Sequence, residues 1–249
     1  MLVGIWIVVG CTALPAQEPP PQPRSEYLGR QVAQTMHFAG AGWLIRHKRE
    51  REESALEMRR ALGLRPGLVV CDLGSGNGYH SLPMAQAVAP DGRVLAVDIQ
   101  PEMLIMLKER ADRQEIQNID RIIGEGHDPH LPEASCDLVL MVDVYHEFSY
   151  PEPMLTAIRR ALRPGGRVVL VEYREEDASV PIKPEHKMSK EQIIKEMRAN
   201  GFVPAGSYDR LPWQHMMWFG REGDSADPAA PAPPEGADLG TAAREETAN

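Results

Sequence analysis

The segment LVVCDLGSGNG, residues 68–78, decides the fold. Its first six residues form a short apolar run that is rich in β-branched side chains and bounded by glycine, which is typical of a buried parallel strand. Gly74, Gly76 and Gly78 follow at once, and glycine lets a backbone turn sharply and approach a ligand closely. We therefore predict a strand whose carboxyl end carries a ligand-binding loop.

The sequence around this segment alternates between strand and helix patterns. Further strands are predicted at 93–98, 119–123, 137–142 and 167–173, and helices at 77–88, from 101, at 152–162 and at 189–200. Two last strands, 203–209 and 213–220, are joined by a turn too short for a parallel crossover, so they must pair antiparallel. The pattern predicts an α/β fold with a doubly wound, Rossmann-like, mostly parallel seven-stranded sheet and an antiparallel last strand.

The composition is that of a soluble globular protein. The 249 residues are 43% hydrophobic and 25% charged, which excludes collagen-like, wholly disordered and multi-span membrane classes. The formal net charge of −9 gives no indication of a basic face, so we expect no nucleic-acid partner. Three scattered cysteines are too few for a disulfide framework or a zinc site of paired cysteines.

The two ends differ from the body. Residues 1–16 hold an apolar run too short to span a bilayer but suited to an export signal, and Cys11 follows a degenerate lipobox where a lipid anchor would attach. We therefore expect the protein in the cell envelope or periplasm. However, no Lys or Arg precedes the apolar run, as an export signal would normally have, so the alternative is a cytoplasmic protein with a misassigned start. Residues 17–24 are predicted to be a proline-rich tether and residues 222–249 a disordered tail.

The region from 25 to 62 is predicted to be a helical extension. Its most apolar part, Met36 to Leu44, includes Trp43. This part would either close over the site as a lid or anchor the extension with Trp43 in the core.

The glycine loop separates two cofactor classes. Asp98 ends the second strand, where a carboxylate can accept both hydroxyls of a ribose. A dinucleotide loop needs a small residue at the position that Tyr79 occupies when the pattern starts from Gly74. Asp72 would also place a negative charge where a dinucleotide has phosphates, whereas a carboxylate suits an ammonium or a sulfonium.

Several motifs in order resemble class I S-adenosylmethionine-dependent methyltransferases, close to the quinone-biosynthesis, or type 11, group. The motifs cover a domain at 63–221 and are Asp72 to Gly78, Asp98-Ile99, Gly124-Glu125-Gly126, Leu131-Pro132, Cys136 to Val139 and Leu162 to Gly166. The resemblance implies S-adenosylmethionine as cofactor and a small-molecule acceptor. It also implies a set of cofactor-binding residues: Asp72, Gly74, Ser75, Gly76, Gly78, Asp98, Ile99, Glu125, Gly126 and Asp143. Among these, Asp98 would hold the ribose, Ile99 would pack on the adenine and Glu125, or Asp128 in its place, would receive the adenine amino group.

The segment after the fourth strand supplies the candidate catalytic residues. His146 or Glu147 would be the base that removes a proton from the acceptor, or each would only bond to backbone at the strand's end. Tyr145, Lys183 and His186 are candidate substrate-binding residues: Tyr145 as a wall of the pocket, and the other two as charges that attract an anionic substrate or merely belong to a solvated loop.

We predict no metal site from the sequence. His127 and His130 stand three apart in a loop, which is weak evidence. A metal would be supported only if His37, His80, His146, His186 or His215 converged on one point. Arsenite as acceptor needs several thiols near the methyl donor, and Cys71 and Cys136 lie in or before strands.

Two alternatives to a methyltransferase remain at this point: a protein on the same fold that binds the cofactor without catalysis, and a nicotinamide-dependent oxidoreductase. Titrating the purified protein with S-adenosylhomocysteine and with NAD separates the last from the others. We expect S-adenosylhomocysteine to bind and NAD to give no signal, and binding of NAD alone would overturn the assignment of the loop.

Overall fold

The computed structural model describes residues 21–224. It begins with a short hairpin, β1 (Glu26–Tyr27) and β2 (Arg30–Gln31), then a stretch without regular structure. A 3-10 helix (Phe38–Ile45), α1 (Arg49–Glu53) and α2 (Ala55–Ala61) follow. The prediction of a helical region over 25–62 is therefore wrong for its first third.

The hairpin exists because distant residues hold it. The Nε atom of Arg30 donates to Glu196, 166 positions away, at 2.7 Å, and its Nη1 atom donates to the carbonyl oxygen of His146 at 2.9 Å. The backbone N–H of Ala33 also donates to the His146 carbonyl, at 3.1 Å. The N-terminal arm is thereby tied to the segment that carries the candidate catalytic residues.

The central sheet confirms the predicted architecture. Its strands are β3 (Val69–Leu73), β4 (Arg93–Asp98), β5 (Ile119–Ile123), β6 (Cys136–Val142), β7 (Leu162–Arg174), β8 (Lys187–Met188), β9 (Phe202–Tyr208) and β10 (Gln214–Arg221). The seven main strands stand in the order β5, β4, β3, β6, β7, β10, β9, and β10 is antiparallel to both of its neighbours while the other pairs are parallel. The two-residue strand β8 pairs with β7 at Tyr173 and Arg174, past the last partner of β6 at Val171.

Helices cover both faces of this sheet. They are α3 (Ser81–Val88), α4 (Pro101–Arg113), α5 (Pro151–Ala161) and α6 (Lys190–Ala199), with 3-10 turns at Tyr145–Glu147 and Pro184–His186. The first predicted helix begins four residues later than expected, because residues 77–80 are still in the turn that leaves the glycine loop.

The strands divide their side chains between two buried clusters. Val139 and Met141 of β6 pack on one face with α5 and α6, whereas Leu138 and Leu140 pack on the other with α3 and α4. This period of two with both faces buried is the reason that the strands are nearly continuous apolar runs in the sequence.

Several predictions fall outside the described residues. The export segment 1–16, Cys11, most of the tether 17–24 and the tail from 225 onward stay predictions. Within residues 21–224, no helix is both long and apolar enough to cross a membrane.

Candidate active site

A cavity of about 740 Å³ opens beyond the carboxyl ends of β3, β4, β6 and β7. Its walls combine the glycine loop, the ends of these strands and a segment of the N-terminal arm, residues 34–44, which we call the roof. The lining residues include Thr35, Met36, Trp43, Leu44, Arg49, Gly74, Gly76, Asp98, Ile99, Glu125, Gly126, Asp143, Val144, His146, Glu147, Lys183 and His186.

The glycine loop has no room for side chains. Gly74, Gly76 and Gly78 all have positive φ, at +75°, +51° and +79°. A Cβ atom at Gly74 would lie 2.4 Å from Val144, and one at Gly76 would lie 2.7 Å from Leu44. Both distances are far below van der Waals contact, so the loop after β6 and the roof can approach only because these positions are glycine.

Asp72 lies beneath this loop and does not line the cavity. Its Oδ2 atom accepts a hydrogen bond of 2.5 Å from the hydroxyl of Ser81. Burial raises the pKa of Asp72 to about 6, with the nearby Asp98 carboxylate acting in the same direction and the Ser81 hydrogen bond acting against it. A buried carboxylate with so little compensation is one that a cation could stabilise.

Asp98 lines the cavity and holds the loop. Its two oxygens accept backbone N–H groups, Oδ2 from Gly76 at 2.8 Å and Oδ1 from Gln100 at 2.9 Å. Ile99, beside it, is 45% exposed and lines the cavity, as a residue that packs on an adenine would.

Glu125 and Gly126 line the same side. The Glu125 carboxylate is exposed and approaches the imidazoles of His127 at 3.5 Å and His130 at 3.9 Å. Its predicted contact with an adenine amino group stays a prediction.

The roof closes the cofactor side of the cavity. The side chain of Gln100 accepts the N–H of Phe38 at 2.7 Å and donates to the carbonyl of Met36 at 2.9 Å, which fixes the roof to the end of β4. Trp43 is 42% exposed, and the guanidinium of Arg46 lies 3.5 Å from its ring centroid. The expectation of Trp43 in the core is wrong, because the 3-10 helix turns this side chain toward the cavity and solvent.

His146 and His186 meet at the opposite end of the cavity. The Nε2 atom of His146 lies 3.0 Å from Nδ1 of His186, and the Nδ1 atom of His146 lies 2.5 Å from the buried carboxylate of Glu172. Burial opposes protonation of His146, but the Glu172 carboxylate outweighs it and raises the pKa of His146. Burial and the adjacent His146 lower the pKa of His186.

Glu147 completes this group, which we call the imidazole cluster: His146, Glu147 and His186. Its Oε1 atom lies 4.0 Å from Nε2 of His146. Burial raises the pKa of Glu147 to about 7, while the charge of His146 and hydrogen bonds from the Met36 N–H and the Thr35 side chain act against burial. Glu147 therefore connects the imidazole cluster to the roof.

Two predicted site residues have other surroundings than expected. Tyr145 is fully buried and donates its hydroxyl hydrogen to Glu196 at 2.8 Å, so its prediction as a pocket wall is wrong. The reason is that the 3-10 turn at 145–147 points consecutive side chains in different directions.

Asp143 does line the cavity, and both of its oxygens accept from the amide of Gln214 at 2.8 and 2.9 Å. Burial, with the carboxylates of Glu53 and Glu172 nearby, holds the pKa of Asp143 well above its usual range.

Two residues of the site, Glu172 and Arg49, are not among those predicted from the sequence. Arg49 lines the cavity and donates to Glu53 at 2.6 Å and to the Leu44 carbonyl at 2.7 Å. Glu172 could have been found: the pairing of Val142 with Val171 puts residue 172 beside the segment that follows β6. Lys183 lines the cavity, and its predicted contact with the substrate stays a prediction.

A family profile for the methyltransferase domain matches residues 64–221. The chain belongs to this methyltransferase family. The fold of this methyltransferase is also that of an S-adenosylmethionine-dependent methyltransferase from Aquifex aeolicus, with a TM-score of 0.70, 20% identity, and coverage of 74% of this chain and 98% of that one. The resemblance drawn from the glycine loop and the later motifs is confirmed.

The relatives of this methyltransferase are named for different methyl acceptors. A protein-L-isoaspartate O-methyltransferase from Methanothrix thermoacetophila is 34% identical over 158 residues, which are 63% of this chain and 69% of that one. An arsenite methyltransferase from Halobacterium salinarum is 36% identical over 108 residues, 43% of this chain and only 27% of that one. A quinone-biosynthesis C-methyltransferase is also similar, so the quinone group is among the relatives.

S-adenosylmethionine is the cofactor of this family, and the residues present fit it. Gly74 and Gly76 line the cavity with backbone alone and so let a ligand approach it, and Asp98 and Ile99 line it at the end of the next strand. Beside the cradle, the buried hydroxyl of Ser75 has no hydrogen-bond partner within residues 21–224 and is free for a polar ligand.

Replacing Asp72 by asparagine should stabilise the methyltransferase without cofactor. Because the pKa of Asp72 is raised to about 6, the folded protein holds this proton more tightly than the unfolded chain, and stability falls as the pH rises from about 4 to about 6. One pKa unit corresponds to about 1.4 kcal/mol, so the ionised carboxylate costs roughly 2–3 kcal/mol at higher pH. Denaturant unfolding should show a gain of about this size at pH 8 and little at pH 4.

The matched control for this prediction is Asp91→Asn, since Asp91 is exposed. It should leave stability unchanged at both pH values. An Asp72→Asn protein that is no more stable than wild type at pH 8 would show that the carboxylate is already compensated in the folded state.

Proposed function

We propose that this protein transfers the methyl group of S-adenosylmethionine to a small-molecule acceptor that His146 activates. The observation that carries the proposal is one cavity that has a cofactor cradle at one end and, at the other, an imidazole held in place by a buried carboxylate. The cradle is the loop from Gly74 to Gly78 with Asp98, and the imidazole is that of His146, held by Glu172.

The cavity supports a small acceptor. Its volume of about 740 Å³ is in the range of small-molecule sites, roughly 300–1,000 Å³. The roof covers it from the N-terminal side, with Leu44 against Gly76. A roofed cavity favours a free small molecule over the side chain of a folded protein, although one relative is named for a protein substrate.

The chain's own residues orient the acceptor. When bound, S-adenosylmethionine supplies an electrophilic methyl carbon on a positively charged sulfur. Methyl transfer then needs an acceptor atom in line with that carbon, and any proton on it must leave. Glu172 accepts from Nδ1 of His146, so Nε2, which lies 3.0 Å from Nδ1 of His186, is the ring nitrogen that can receive the acceptor's proton.

Glu172 has a positioning role in this proposal. Its other oxygen accepts the backbone N–H of Tyr145 at 2.8 Å, so one carboxylate fixes both the imidazole and the backbone of the turn that carries it. A carboxylate that orients a histidine in this way sets which nitrogen is protonated.

His146→Ala should lose methyl transfer and keep the cofactor site. The protein is incubated with methyl-labelled S-adenosylmethionine and a cell extract divided into small-molecule and macromolecular fractions. We expect label in a small molecule, a rate that falls about 10²- to 10⁴-fold in His146→Ala, and unchanged affinity for S-adenosylhomocysteine. Glu172→Gln should lower kcat and alter its pH profile with the same cofactor affinity.

The control is His47→Ala, because His47 is exposed and does not line the cavity. Label in the macromolecular fraction would contradict the small-molecule acceptor. A His146→Ala protein with the wild-type rate would remove the activating role, and a wild-type protein that binds S-adenosylhomocysteine but labels neither fraction would favour binding without catalysis.

A further inference from the structure

The three members of the imidazole cluster present ligand atoms to one point. Nε2 of His146 and Nδ1 of His186 are 3.0 Å apart, Oε1 of Glu147 is 4.0 Å from Nε2 of His146, and all three ligand atoms lie within 4.8 Å of one another. They come from two separate 3-10 turns, Tyr145–Glu147 and Pro184–His186, which the sheet brings together at the end of the cavity. From the sequence we predicted no metal site, and held that a metal would be supported only if such histidines converged on one point. His146 and His186 do converge.

We infer that His146, His186 and Glu147 bind a divalent transition-metal ion, with Zn²⁺ as the first choice, and that this ion holds the acceptor. The inference rests on the proposed function and specifies how His146 activates the acceptor. Two imidazoles and a carboxylate are ligands that zinc and its neighbours in the first transition row prefer.

The distance between the two imidazoles suits one ion. Metal–nitrogen bonds of about 2.0–2.1 Å in a tetrahedral site place the ligand atoms about 3 to 3.5 Å apart. The imidazole pair already has such a spacing. The Oε1 atom of Glu147 is 4.0 Å from Nε2 of His146, so its carboxylate must move toward the two imidazoles when the ion binds.

Glu172 provides the support that metal-bound histidines normally have. Such a histidine donates its second ring nitrogen to a carboxylate or carbonyl, which fixes the tautomer and the ring orientation. Nδ1 of His146 does this at 2.5 Å to a carboxylate that is fully buried and also bound to the Tyr145 N–H.

The other histidine and acid group around the cavity lacks these features. His127 and His130 approach Glu125 at 3.5 and 3.9 Å, but these side chains are 35%, 44% and 58% exposed, respectively. The ligand atoms of this exposed group do not converge as those of the imidazole cluster do. It therefore serves as an internal control for adventitious binding of metal to surface histidines.

An ion at this position would define the chemical class of the acceptor. Three protein ligands leave at least one coordination position, and the cluster lines the cavity, so that position is open to the acceptor. A hydroxyl or thiol bound to the ion gives up its proton to water more readily and remains as the anion. The acceptor class is thus a small molecule with a hydroxyl or thiol, which is methylated on oxygen or sulfur.

The test is calorimetric titration of the full, chelator-treated protein with ZnCl₂ and with MnCl₂, with and without S-adenosylhomocysteine. We expect one ion per chain. His186→Ala and Glu147→Gln should each weaken zinc binding by about 100-fold or more, and Glu172→Gln by about 10- to 100-fold through the support of His146. Because His186 is only half-buried, its replacement should leave the fold intact, which affinity for S-adenosylhomocysteine checks.

The control variant is His127→Ala, which should bind zinc as the wild type does. Equal zinc affinity in wild type and His186→Ala would overturn the metal site, and so would an absence of zinc and manganese binding. If S-adenosylhomocysteine still binds and labelled methyl transfer continues in excess chelator, the proposed function survives without the ion. If S-adenosylhomocysteine does not bind to the wild type, the proposed function is wrong, whatever the result of the zinc titration.

Discussion

The absence of a side chain at Gly74 is the constraint on which the site depends. Val144 occupies the space that a Cβ at Gly74 would need, so the loop after β3 packs against the loop after β6 only because residue 74 has no side chain. Val144 begins the turn that carries His146. The same contact therefore shapes the cofactor cradle and sets the distance between that cradle and the imidazole cluster. Any side chain at residue 74 would push the turn that carries His146 away from the cradle.

Buried carboxylates make the cavity a place that attracts cations. Asp143 and Glu147 line the cavity and Asp72 lies beneath its glycine loop, and burial is the largest cause of the raised pKa of each. A protein that keeps several acids in such surroundings loses stability unless a positive charge arrives. A sulfonium cofactor and a divalent ion would each supply one, so ligand binding and stability are linked at this site.

The strands were predictable from sequence because each is a short apolar run with both faces buried, as in 68–73 and 137–142. The hairpin at 26–31 was not, because its position is set by the ion pair of Arg30 with Glu196, a contact that no local pattern contains. The pocket-lining role of His146 was predictable from its place after a strand, whereas the burial of Tyr145 depends on how the 3-10 turn is oriented. Glu172 was within reach of prediction, since the parallel register of β6 and β7 brings it to His146.

The matched methyltransferase domain begins at residue 64, but the cavity is not complete without residues before it. The roof supplies Leu44 against Gly76, and Glu147 is held by Met36 and Thr35 of the same segment. Ala33 and Arg30 bind the His146 carbonyl directly. The surfaces that meet an acceptor thus come partly from a segment outside the family match, while the cofactor cradle lies inside it. In this chain, the cofactor cradle and the acceptor side of the cavity therefore depend on different segments of the sequence.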